Sequence, residues 1–144
     1  MRMAALGLAL ALAAGAAGTA SAQQMFRPTP LEASNPRAQK ANALAALLAK
    51  ADFAGATQYV KANAAPGSFA AAEGQAQIDA IKSMFASGGF TIDRVDQGLE
   101  NDVLVMLSKP GGDPIVFSVD VSKTAPYGIL AVRSMKGRFR VTGD

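Results

Sequence analysis

GGFTIDRVDQGLENDVLVMLSKPGGDPIVFSVDV, running from Gly88 to Val121, is the stretch that decides the fold. Before it, apolar residues recur at roughly the 3.6-residue helical period; within it, they recur at every second position. Phe90, Ile92 and Val95 open a strand that Gln97-Gly98 breaks. Val103 to Leu107 is an unbroken apolar run, the pattern of a strand covered on both faces. Pro110-Gly111-Gly112-Asp113 supplies a hairpin turn. Ile115, Phe117, Val119 and Val121 then alternate with Val116, Ser118 and Asp120, as in a half-buried antiparallel strand. The alternation sets Asp120 on the face opposite Phe117 and Val119. After a turn at Lys123 to Pro126, Tyr127 to Ser134 reads as the last of four strands.

Toward the N-terminus the helical period takes over. Asn35-Pro36 is an N-cap followed by proline at the first helical position. Leu44, Leu47, Leu48 and Ala51 then form one apolar stripe, with Lys40 and Lys50 outside it. Asp52 caps a second helix carrying Phe53, Ala56 and Val60, which Ala65-Pro66-Gly67 ends. A third helix is expected from Ser68 to about Ala86, burying Ile78, Ile81 and Phe85, with Gly88-Gly89 as its stop. Helices followed by a four-stranded antiparallel meander make an α+β plan, with the helices on one face of the sheet.

The first residues read as an address. Arg2 is a short positive start, Met3 to about Ala17 is apolar and small, and Ala20-Ser21-Ala22 fits a signal-peptidase site. Residues 1–22 are therefore expected to be a secretory signal peptide, and the mature protein to be periplasmic or secreted. No cysteine follows the apolar run to take a lipid, and no twin arginine precedes it. Removing 22 of the 144 residues leaves 122, enough for one domain. Residues 23–36, with Pro28, Pro30 and Pro36, read as an extended, mobile lead-in, residues 37–136 as a single α+β domain, and 137–144 as a C-terminal tail.

Composition excludes more than it selects. The chain has no Cys, His or Trp, which removes Ser-His-Asp triads, thiol nucleophiles and the usual zinc ligand sets. Without cysteine, an exported domain folds without disulfides. Acid–base chemistry would require a carboxylate or lysine shifted toward neutrality. The net charge of +3 falls to +2 when Arg2 leaves with the signal peptide, too little to argue for nucleic acid. Arg133, Lys136, Arg138 and Arg140 cluster near the end, either as a solvated tail or as a surface for an anionic partner.

The order of elements, with Gly88-Gly89-Phe90 opening the meander and Ala125-Pro126-Tyr127-Gly128-Ile129-Leu130 leading into its last strand, resembles the nuclear transport factor 2-like, or cystatin-like, fold. More narrowly it resembles small secreted domains of that fold found beside bacterial serine hydrolases. The resemblance covers Arg37 to Ser134 and implies a curved, cone-like sheet wrapping the helices, often with an apolar pocket at its open end. Members include isomerases, dehydratases, carriers and modules without chemistry, so the fold does not choose the function. An accessory role here implies a hydrolase partner in trans.

On that footing Phe53, Tyr59, Phe85, Phe90 and Phe117, with Phe69 beside them, are candidates to line a pocket, although aromatics at such spacings usually form core. Isomerases of this fold use an aspartate proton shuttle with a tyrosine oxyanion hole. The raw material here is Asp93, Asp96, Asp102, Asp120, Tyr59 and Tyr127, none of which matches an isomerase motif. Asp93, Asp96 and Asp102 stand where carboxylates are normally solvated. Asp93, Asp96, Glu100 and Asp102 do not have the spacing of a calcium loop. The expectation is therefore a non-enzymatic domain that needs no metal or cofactor and binds an apolar small molecule or a periplasmic protein. The rival is a cofactor-free isomerase or lyase using one buried carboxylate. Leu104, Met106, Val116 and Leu130 are expected to form an apolar sheet face for a homodimer.

Overall fold

The computed structural model describes residues 28–134. The expected signal peptide, residues 23–27 of the lead-in, Lys136, Arg138, Arg140 and the tail lie outside the described residues. Helix α1 runs Pro36–Ala49, α2 Phe53–Asn63 and α3 Phe69–Ile81, continued by a 3-10 turn, Lys82–Phe85. Each helix starts where a short polar side chain meets its unpaired N–H groups. Asn35 Oδ1 accepts from the backbone of Arg37 and Ala38, Asp52 Oδ1 from Gly55, and Ser68 Oγ from Ala71. Such caps contribute about 1 kcal/mol each. Helix α3 is shorter than the expected 68–86 and is kinked at Glu73 (φ −126°, ψ 22°). The next residue is Gly74, where a Cβ would stand 3.0 Å from Val60 Cγ1, so its missing side chain lets α3 approach α2 closely.

The sheet is fully antiparallel and open, in the order β1-β2-β3-β4-β5, where β1 is Thr29–Pro30, β2 Thr91–Gln97, β3 Asp102–Ser108, β4 Ile115–Val121 and β5 Ile129–Ser134. Five strands replace the expected four, and the addition comes from the segment expected to be mobile. Thr29 and Pro30 pair with Gln97 and Asp96, and Leu31 N donates to Val95 O at 2.9 Å. Proline is tolerated there because an edge strand need not donate on its outer side.

Val103, Val105 and Leu107 of β3, Phe117, Val119 and Val121 of β4, and Ile129 and Val132 of β5 meet Leu44, Leu48, Val60, Ile78, Ile81 and Phe85 in one core. Each such side chain contributes roughly 1.5–3 kcal/mol when fully buried. Leu104, Met106 and Val116 belong to the alternate positions and stand outside this cluster. The apolar run in β3 is therefore not sandwiched between two helical layers. Leu104 is still only 4% exposed. It sits between Asp96 and Ser118 on the neighbouring strands, with its Cγ 3.2 Å from where a Gly98 Cβ would be. Leu130 falls in a register shift, since Asp120 pairs with Ala131 but Val121 pairs with Ile129.

Arg37 ties α1 to the end of the sheet. It is 7% exposed and bonds only to neutral acceptors. Nε donates to Val121 O at 3.1 Å, Nη2 to Asn101 O at 2.9 Å, and Nη1 to Gln97 Oε1. Burial pushes its guanidinium pKa down from the usual value.

Candidate functional site

Asp102 of β3 and Asp120 of β4 are direct cross-strand partners on the side of the sheet away from Val103 and Val119. Like charges so placed repel. Arg133, on β5 opposite Ser118, resolves the conflict. Its Nη2 donates to Asp102 Oδ1 at 2.9 Å and to Asp120 Oδ2 at 2.6 Å, while Ser118 Oγ donates to Asp102 Oδ1 at 3.3 Å. Burial pushes Asp102 up to about 6, helped by the hydrogen bond and charge of Asp120 and opposed by Arg133 and Ser118. Arg133 is raised in turn, mainly by its bond to Asp120. A chain without histidine thus holds a carboxyl that titrates near neutrality.

Beside this cluster, α3 and β5 leave an open groove of about 700 Å³. Its apolar wall is Phe69, Ala76, Ala80 and Ile81 from α3, with Ala131 and Val132 from β5; Glu73, Asp120 and Arg133 are its charged residues. The groove lies where α3, and the segment leading into it, are held to the edge strand. Gln77 Oε1 accepts from Val132 N at 3.1 Å, and Ile129 O accepts from Ala65 N at 2.8 Å and Ser68 Oγ at 3.3 Å. These bonds occupy backbone groups that an edge strand would otherwise offer to another strand. Phe69 stands at the start of α3 with 64% of its surface exposed. Smaller depressions lie along α3 near Lys61 and Asp79, and between α1 and β2 near Leu31 and Arg94.

Of the aromatic residues expected to line a pocket, Phe69 lines this groove, and Phe53, Tyr59, Phe85, Phe90 and Phe117 are placed otherwise. Phe85 and Phe117 are fully buried, and Phe85 meets Phe90 and Phe117 edge-to-face at 5.5 and 5.7 Å. Phe53, Tyr59 and Phe90 are partly buried against the same core, with Lys82 over the Phe53 ring and Lys109 over the Phe90 ring. Phe69 is thus the aromatic side chain of the groove. A sequence signal for it exists: Phe69, Glu73, Ala76 and Ala80 follow helical spacing as a second stripe beside the core stripe of Ala70, Gln77, Ile78 and Ile81.

The carboxylates also separate. Asp93 is exposed, as expected of a solvated residue, but Asp96 is only 2% exposed. It is gripped by Arg94, whose Nε and Nη2 reach its two oxygens at 3.0 and 2.9 Å. Burial raises the Tyr59 phenol, and neither Tyr59 nor Tyr127 bonds to an aspartate through its hydroxyl among the described residues. Of the basic cluster, Arg133 is half exposed and held by its two carboxylates. Among the described residues no group of three or more acidic side chains converges to hold a metal ion, and no helix is long and apolar enough to cross a membrane. Compared with known protein families, curated proteins and solved structures, the chain matches none.

Proposed function

We propose that this chain is an exported, non-enzymatic domain that binds an apolar small molecule in the groove between α3 and β5. The observation that carries this reading is the groove itself, about 700 Å³, with Phe69 64% exposed beside it. That volume lies within the range of small-molecule sites, and an aromatic side chain left in water is a ready source of binding energy on desolvation. A protein partner that inserts an apolar side chain would use the same surface. Export through the segment 1–22 is part of the proposal, and N-terminal sequencing of the mature protein should begin at Gln23. So is a curved, cone-like sheet of the nuclear transport factor 2-like kind, and a homodimer formed through the sheet face of Met106 and Val116, on which Leu104 is already buried within the chain and Leu130 falls in the register shift. Light scattering would register the homodimer as twice the monomer mass.

Titration with Nile red, a neutral apolar fluorophore, tests the groove. Phe69→Ser should weaken binding about tenfold, and unchanged binding would remove the groove from the account. A second reading has its own observation: Asp102, raised to about 6 beside Asp120 and Arg133, has the titration range of a general acid–base group. Turnover of a carbonyl substrate that vanishes in Asp102→Asn would favour that reading over simple binding.

A further inference from the structure

We propose that the occupant of the α3–β5 groove joins an apolar body to a cationic headgroup, an alkylammonium-type amphiphile in chemical terms. The inference rests on the groove reading above and narrows its ligand class. Phe69, Ala76, Ala80, Ile81 and Val132 supply apolar surface for the body. The charged wall decides the head. Glu73 and Asp120 line the groove together with Arg133, and Asp102 stands beside Asp120 on the next strand. Two carboxylates thus hold one guanidinium, and a third, Glu73, lines the same groove.

That guanidinium is already engaged, because its Nη2 serves both Asp102 and Asp120. An anionic head would have to draw Arg133 from two carboxylates while facing Glu73. A headless apolar ligand would leave the carboxylates beside hydrocarbon without return. A cation meets an unspent negative balance, since Glu73 has no ion pair among the described residues. Among the described residues the other charges along α3 and its 3-10 turn balance one another, with Lys82 3.9 Å from Asp79. Lys61 of α2 lines the neighbouring depression with Asp79 and the outer side of Glu73, with no ion pair to either. The chain as a whole is basic at +3, so this acidic spot is a local feature.

Calorimetric titration of the mature chain with octyltrimethylammonium, octyl glucoside and octyl sulfate, below micelle formation, separates the two levels. The expected order is cation, then neutral, then anion, with about tenfold between the cation and the anion at low salt and less as salt rises. Glu73→Gln, a change at an exposed side chain, should weaken the cation severalfold and leave the neutral probe unchanged. Phe69→Ser should weaken all the probes that bind. Equal affinities, or tighter binding of the sulfate, would overturn the headgroup while leaving the groove. Binding of no probe, or binding indifferent to Phe69, would overturn both.

Discussion

Arg37 and Arg133 are the two arginines that knit strands together, and they do so in opposite ways. Arg37 is almost wholly buried and meets two backbone carbonyls and one side-chain amide, with no carboxylate among those partners. Arg133 keeps 56% of its side chain exposed and lies between two carboxylates beside an apolar groove. A cation near a helix N-terminus works against the helix dipole, so Arg37 is stable only because fixed neutral acceptors surround it. That arrangement has one geometry and no spare charge. The Arg133 cluster has more negative charge than it neutralises, a proton that Asp102 takes up near neutrality, and access to solvent. The first region fixes the fold, and the second is the one on which the proposed binding draws.

Breaking the first region should cost most. Arg37→Met removes the donors to Val121 O and Gln97 Oε1 and one of the two to Asn101 O, which keeps Val121 N, and chemical denaturation should show a loss of about 3 kcal/mol. Arg133→Met should cost only about 1 kcal/mol at pH 7.5, because the pair is partly solvated. Its cost should shrink further at pH 4.5, where a protonated Asp102 no longer repels Asp120. Equal losses at Arg37 and Arg133 would erase the distinction between them.

The sign of the pH effect sharpens it. Asp102 has a folded value near 6, above its ordinary 3.8, so between these values the folded state holds more protons than the unfolded. Its contribution therefore falls as pH rises from about 4 to about 6. Asp102→Asn should melt with the wild type near pH 4 and be more stable above pH 6, by no more than about 1 kcal/mol after discounting for solvent. The smallest effect lies outside both regions. Ala51, just past α1, has φ 60°, a left-handed conformation that glycine adopts more easily. Ala51→Gly should raise thermal stability by about 0.5 kcal/mol.

Much of the fold was legible because local rules wrote it. The caps at Asn35, Asp52 and Ser68, the turn around Gly111 and the alternation from Ile115 to Val121 need only neighbours in sequence. Strand β1 was not legible, since two residues, one a proline, carry no period. The burial of Asp96 had a trace in Arg94, two positions earlier and so on the same strand face, but solvation is the commoner fate of such an aspartate. The candidate site divides the same way. Asp102 and Asp120 are equidistant from Gly111 along the chain, so a regular hairpin brings them face to face. Arg133 joins them across β5, whose register shifts at Asp120/Val121, and no local pattern announces that shift. The groove depends on α3 lying beside a strand formed far along the chain, which the Phe69–Ala80 stripe hints at but does not locate.

The most direct test is a backbone and methyl NMR titration of residues 23–144 with octyltrimethylammonium. The account predicts saturable shifts at Phe69, Ala76, Ala80, Val132 and Arg133, with Phe85 and Phe117 unmoved. Shifts centred on Phe85 and Phe117, or none at saturating probe, would contradict it.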